Sequence, residues 1–283
     1  MKIRDVTTHF VNTGPSRNWV LVKVSTDEGV YGWGEASVEG KEKTVAQAIA
    51  ELERQLVGRD PFQIELLWQE MYRNAFWVGG PILNSAISGV EQALWDIKGK
   101  ELGVPVWQLL GGRVHDRVRA YANGWFRGCK TPKQFARAAV ATGERLFTKW
   151  GFKDVIEKQA AAVIQPDICH DGGILETRKI AAMAEVYYVG LAPHNPNGPP
   201  STAACVHVDA CTPNFLIQEF VVSDAELRKA IQKEGMTLVD GHFVVPDRPG
   251  LGVDIDEGAL ARFPYQPTTM TGMLTSERDF HWD

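Results

Sequence analysis

Cysteine is scarce in this 283-residue chain, with four residues at positions 129, 169, 205 and 211. No two of them form a CxxC pair or the spacing of a zinc site, so neither a disulfide framework nor a zinc module organises the fold. Clusters of lysine and arginine are absent as well. With a formal net charge of -5, the chain carries no electrostatic footprint for nucleic acid or an acidic membrane surface. It has no apolar run of about 18 residues and no recognisable signal peptide, which makes a reducing cytoplasm the expected compartment. Low-complexity stretches are missing too, and a hydrophobic content of 44% suffices for one large domain or two smaller ones.

What is present is a pattern repeated four times between Val140 and Phe220. A short apolar run ends in one chemically potent residue, and a helix-length segment follows. The runs are VATGE, AAVIQPD, GLAPH and FLIQE, ending at Glu144, Asp167, His194 and Glu219 at intervals of 23, 27 and 25 residues. A strand, a turn, an amphipathic helix and a turn need about that length, and ILETRKIAAMAEVYY has the i, i+3, i+4, i+7 apolar spacing of a helix resting on a sheet. Consecutive βα units build a parallel sheet, and ligands meet such sheets at the carboxyl ends of the strands. Four functional groups are therefore expected on one face.

The chain opens differently. Residues 2–11 and the run NWVLVKVSTDEGVYGWGEA read as three strands of an antiparallel meander, with hairpin chemistry at Asp27, Glu28 and Gly29. Helices are expected over about 41–57, 62–76 and 82–102, the second introduced by Asp60 as N-cap and Pro61 in its first turn. Strands followed by helices indicate an α+β domain over residues 1–116. VRAYANGW then reads as the first strand of a parallel domain over 117–245, and the turn-rich segment 246–283 is expected to return to the first domain.

The segments EQALWDIKGKELGVPVWQLLGGR, VATGERLF, VIQPDICHDGGILETRKIAAMAE and APHNPNGP, followed by FLIQE, together resemble the enolase superfamily, and within it the mandelate racemase branch with its acid sugar dehydratases. The resemblance implies an α+β capping domain over a modified TIM-type (β/α) barrel. It also implies magnesium-assisted removal of the proton next to a carboxylate. Such a proton leaves only if the enediolate is stabilised while a base accepts it.

By this resemblance Glu144 matches the family's third metal-binding carboxylate, against a competing reading as a glutamate paired with Arg145. His194 and Asp167 match a base and the carboxylate that orients it; the competing reading has His194 in a Pro-rich turn and Asp167 capping the next helix. Glu219 matches a residue that hydrogen-bonds the enediolate and would have to be protonated or paired. His170 and Asp171 are expected to shape the loop before Gly172 and Gly173. For His9, His115, His207, His242 and His281, surface or packing roles are expected. Trp19 and Trp77 fall in the cap loops that close over substrate in the family, although an aromatic in an apolar run is more often core.

One departure matters. A full barrel needs eight βα units, yet only TPKQFARAA lies between VRAYANGW and VATGERLF. Barrel strands two to four are expected to be absent, with a break near Ala138 to Val140. With them go two metal carboxylates and the acid that protonates the departing hydroxyl. No DxH, EEP or KxK motif occurs elsewhere. Three functions follow: a magnesium-dependent dehydratase of an acid sugar, yielding a 2-keto-3-deoxy acid; a racemase or epimerase on the same scaffold; or an inactive remnant that binds or assembles. A small sugar acid as substrate and a homo-oligomer are expected, and a chain that truly lacks the block should be inactive and prone to associate through exposed strand edges.

Overall fold

The structure, a computed structural model, describes residues 1–14, 17–122 and 141–268. Strands β1 (Ile3–Asn12), β2 (Asn18–Thr26) and β3 (Tyr31–Glu35) form an antiparallel sheet in that order. Three helices follow, α1 (Glu42–Leu56), α2 (Ile64–Arg73) and α3 (Gly80–Leu102). Val20, Val22 and Val24 of β2 pack with Val45, Ile49, Leu67, Trp68, Val90, Leu94 and Ile97 into the core of this domain. Alternate residues of β2 face this core while Trp19 and Leu21 are buried on its other side, and α1 and α2 bury residues every third or fourth position.

Close approach of α3 to β3 requires glycine. A Cβ on Gly34 would sit 2.0 Å from the carbonyl oxygen of Gly89. Helix α2 starts later than the sequence suggests, because Asp60 does not cap it. Instead its Oδ1 accepts from the Phe62 N–H at 2.8 Å, an Asx turn that spends the capping oxygen before the helix begins at Ile64.

A one-turn helix α4 (Val106–Leu109) leads to β4 (Arg117–Ala122). The unit that follows alternates β5 (Ala141–Thr142), α5 (Thr148–Glu157), β6 (Val163–Ile164), α6 (Ile174–Val186), β7 (Gly190–Leu191), α7 (Pro199–Ala210), β8 (Gln218–Phe220) and α8 (Ala225–Ala230). β5, β6 and β7 form a parallel sheet, and β8 pairs in parallel with β4, opposing Tyr121 to Glu219. A bridge between Leu191 and Phe215 links the two groups. The described strands thus form a barrel-type arc under the α+β domain. The segment TPKQFARAA and the expected break at Ala138 to Val140 lie outside the described residues.

Residues beyond β8 hold a feature the sequence reading lacked. After β9 (Gln232–Glu234), strands β10 (Leu238–Val239) and β11 (His242–Val244) form a hairpin whose second strand pairs antiparallel with β4. Asp240 and Gly241 both have positive φ (48° and 70°), the turn for which an Asp-Gly pair between apolar residues is the usual signal. Farther on, Asp254 accepts from Tyr31 and Trp33, and the Asn12 N–H donates to Phe263 O at 3.0 Å. Residues 254–263 therefore pack on the first domain. No described helix is long and apolar enough to cross a membrane.

Candidate active site

Three of the four chemically potent residues meet at the ends of β6, β7 and β8. A parallel bridge joins Asp167 to His194, and His194 Nδ1 lies 2.7 Å from Asp167 Oδ2. Asp167 is fully buried. Its Oδ1 also accepts from the Cys169 N–H at 2.8 Å and from Asn197 Nδ2 at 3.1 Å. Burial works to raise this carboxyl, but the charge of His170 and the hydrogen bond and charge of His194 hold it below the usual range. The reciprocal effect falls on His194. Burial works to lower its pKa, but the Asp167 hydrogen bond and charge, with Glu219 and Glu144, carry it up to about 9. A carboxylate on one ring nitrogen leaves Nε2 as the reactive atom and makes it more basic.

Glu219 stands 3.8 Å from His194 Nε2, and its Oε2 accepts from the Asn195 N–H at 2.9 Å. Burial raises its carboxyl above the ordinary value. A protonated glutamic acid in this place can donate a hydrogen bond to an anion formed beside the imidazole.

Glu144 lies in the turn after β5, where its Oε2 accepts from the Gly143 N–H at 3.3 Å and Arg145 is 3.9 Å away. It faces the same cavity as His194, a space of about 600 Å³ lined also by Val38, Glu39, Pro81, Arg145, Phe147 and His170. Both domains contribute to this wall. Among the described residues no three His, Cys, Asp or Glu side chains are grouped to hold a metal ion. The segment 123–140 contains no acidic residue. The described donor set therefore does not fit a complete magnesium site.

Residues 3–111 match the N-terminal domain model of mandelate racemase and muconate lactonizing enzyme, and residues 125–259 match the enolase C-terminal domain-like model. The chain belongs to the mandelate racemase/muconate lactonizing enzyme family of the enolase superfamily. Among curated proteins it is 37% identical to the D-galactonate dehydratase of Cronobacter sakazakii, covering 91% of this chain and 93% of that one. The D-galactonate dehydratase of Ralstonia pickettii gives 37% over 92% and 94%. Among solved structures, a member of the enolase superfamily from Salmonella Typhimurium superposes with a TM-score of 0.82 at 26% identity, covering 93% of this chain and 98% of that one. An enolase from Agrobacterium radiobacter with bound Na and L-malate gives 0.84 at 26%, over 95% and 96%.

The two domains of this family member are fastened by buried carboxylates to which the sequence reading gave no role. Glu35, at the end of β3, accepts from the Gly198 N–H at 2.7 Å, the Ser201 N–H at 3.3 Å and Ser37 Oγ at 2.7 Å. Burial lifts its pKa to about 7. Glu91 on α3 accepts from the Ile174 and Leu175 N–H groups at 2.8 and 2.9 Å and from Trp95 Nε1 at 2.7 Å, and burial lifts it to about 8. Both carboxyls occupy helix N-termini, where unpaired N–H groups need acceptors. Gly173 makes the second contact possible, since a Cβ there would lie 2.2 Å from Glu91 Oε2. Acidic residues on the buried face of EQALWDIKG were the available signal.

The His194 loop is held from both sides. Arg17 Nη1 donates to Pro196 O at 2.9 Å, and Arg228 donates to Asn197 O. Trp19 is core rather than cavity wall. It is buried beside Val11, Leu21, Trp33 and Leu260, under the Arg228 guanidinium. Trp77 is exposed beside Phe76 and lines a separate groove with Tyr72 and Leu83. Asp171 has its loop role, accepting from Thr177 Oγ1 at 2.8 Å and the Gly173 N–H at 3.1 Å. His115 and His207 are packing residues, bonded to Thr212 O and the Trp107 N–H respectively. His281 lies outside the described residues. His170 differs from expectation, for its ring reaches the cavity as well as shaping the loop.

Proposed function

We propose that the site abstracts the proton α to the carboxylate of a small sugar acid and, in its complete form, eliminates water to give a 2-keto-3-deoxy acid. The observation that carries this reading is the buried Asp167–His194 pair with Glu219 beside the reactive nitrogen. In this reading His194 Nε2 takes the proton, Asp167 fixes the tautomer, and Glu219 donates to the enediolate oxygen as charge develops there. Because the imidazole at about 9 is protonated at neutral pH, it acts as a base only when a bound cation or loss of neighbouring negative charge lowers that value. Similarity to two D-galactonate dehydratases supports elimination, with galactonate as the first substrate to try.

Glu144 would be one of several oxygen ligands of a magnesium ion, which when bound would stabilise the dianionic enediolate. Its remaining carboxylates and the general acid would come from the three βα units that the sequence lacks between VRAYANGW and VATGERLF, where a full barrel of eight units would have them. A reducing cytoplasm suits the buried free thiols of Cys169, Cys205 and Cys211. A homo-oligomer is supported by the outward-facing Phe76 and Trp77, 94% and 79% exposed.

The test has two arms. Protein whose mass matches the 283 residues should give no magnesium-dependent 2-keto-3-deoxy product from galactonate. The same chain with the corresponding block of the Cronobacter sakazakii enzyme inserted after Val140 should give it. Epimerised acid without keto product in the second arm would replace elimination by racemisation. Turnover in the first arm would remove the assignment of missing units.

A further inference from the structure

Helix α3 presents one buried polar stripe to the segment 168–175. Gln92 Nε2 donates to Ile168 O at 3.1 Å, Ser88 Oγ accepts from the Gly172 N–H at 3.0 Å, and Glu91 accepts from Ile174 and Leu175. The stripe continues one turn toward the helix N-terminus to Ser85, since residues three and four apart share a face. Ser85 is fully buried, and its Oγ lies 2.9 Å from His170 Nδ1. The other nitrogen of that ring, Nε2, is 3.4 Å from Asp167 Oδ2, the oxygen that meets His194 Nδ1.

We propose that His170 is a positioning residue that ties the His194–Asp167 pair to the capping domain through Ser85. In the neutral form of the ring the hydroxyl can donate to Nδ1, which places the ring proton on Nε2, toward Asp167. Asp167 Oδ2 then lies between two imidazoles, one tethered to the cap and one facing the cavity. This second imidazole, 3.4 Å from the carboxylate, limits its rotation and offsets part of its charge, so the orientation of His194 depends on how α3 is seated. The same helix reaches the cavity through Pro81. The consequence for turnover rests on His194 being the base, but the coupling itself does not.

The experiment is ¹⁵N detection of the imidazole nitrogens in the 283-residue chain, which needs no turnover. His170 is expected as a single tautomer with the proton on Nε2, and Ser85→Ala should convert it to a mixture. His170→Leu should move both ring nitrogen signals of His194 and speed solvent exchange of its Nδ1 proton, while His170→Gln, which keeps an amide donor near Nε2, should restore most of both. Matching thermal melts show that the variants are folded. Unchanged His194 signals in His170→Leu, or an unchanged His170 tautomer in Ser85→Ala, would overturn the proposal. If the coupling is seen but the block-restored protein does not exchange the α-proton, the dehydratase reading alone fails.

Discussion

Asp167→Asn is the perturbation whose outcome the geometry specifies most closely. Asp167 Oδ1 is held by two donors, the Cys169 N–H and Asn197 Nδ2, so the amide oxygen of asparagine must occupy that side. Its NH₂ group then points at His194 Nδ1, where the carboxylate oxygen stood at 2.7 Å. An NH₂ can only donate, so Nδ1 must become the acceptor and the proton moves to Nε2. Nε2 then presents a proton to the cavity instead of a lone pair. The charge is lost as well. The rise of His194 from 6.5 to about 9 corresponds to roughly 3 kcal/mol of preference for the charged ring, most of it from Asp167, so the variant imidazole should titrate about two pH units lower. The assay is an NMR titration of His194 from pH 5 to 10, with tautomer read from the ¹⁵N shifts at pH 8.5. α-Proton exchange in the block-restored protein should drop by about 10³–10⁴, as expected for a wrong tautomer. A His194 that still titrates near 9, or keeps its proton on Nδ1, would refute the reasoning.

Three further outcomes follow from the packing. Measured above pH 8, where Glu91 is ionised, Glu91→Gln should destabilise the chain by about 2–3 kcal/mol in urea unfolding, because an amide can offer only one oxygen to three N–H donors and leaves buried groups unpaired. Stability should fall as pH rises: the folded values of Glu35 and Glu91, about 7 and about 8 against 4.5 unfolded, mean that the folded state holds more protons, so their contribution is full below pH 4.5 and lost through pH 7 to 8. A urea midpoint that rises over that interval would contradict this. Gly34→Ala should cost about 3 kcal/mol or prevent folding, since the added carbon would sit 2.0 Å from a backbone oxygen of α3.

Much of the fold was legible because periodicity is a local property. The near-continuous apolar run NWVLVKVST marks a strand buried on both faces, the helical spacing in ILETRKIAAMAEV marks a helix resting on a sheet, and both elements stand where the sequence put them. Asp167, His194 and Glu219 were legible as a set because each ends a short apolar run, and parallel strands bring such ends together. Contacts between distant segments were not legible. Nothing near Glu91 in sequence says that the N–H groups of residues 174 and 175 will point at it, and nothing near Ser85 indicates His170. Trp19, placed in a cap loop by the resemblance but more often core as an aromatic in an apolar run, is core, packed with Val11, Leu21 and Leu260. The hairpin at Asp240-Gly241 carried a readable turn signal, but its pairing with β4 depends on a long-range register that two-residue turn chemistry does not encode.

The measurement that bears most directly on the central claim is exchange of the sugar acid α-proton with deuterated solvent, followed by NMR in the block-restored protein with magnesium and galactonate, with and without His194→Asn. If His194 is the base, the parent exchanges deuterium into the α position or into product, and His194→Asn loses this while binding the acid with little change. Exchange at the parent rate in His194→Asn would show that another group removes the proton and that the Asp167–His194 pair serves a different purpose.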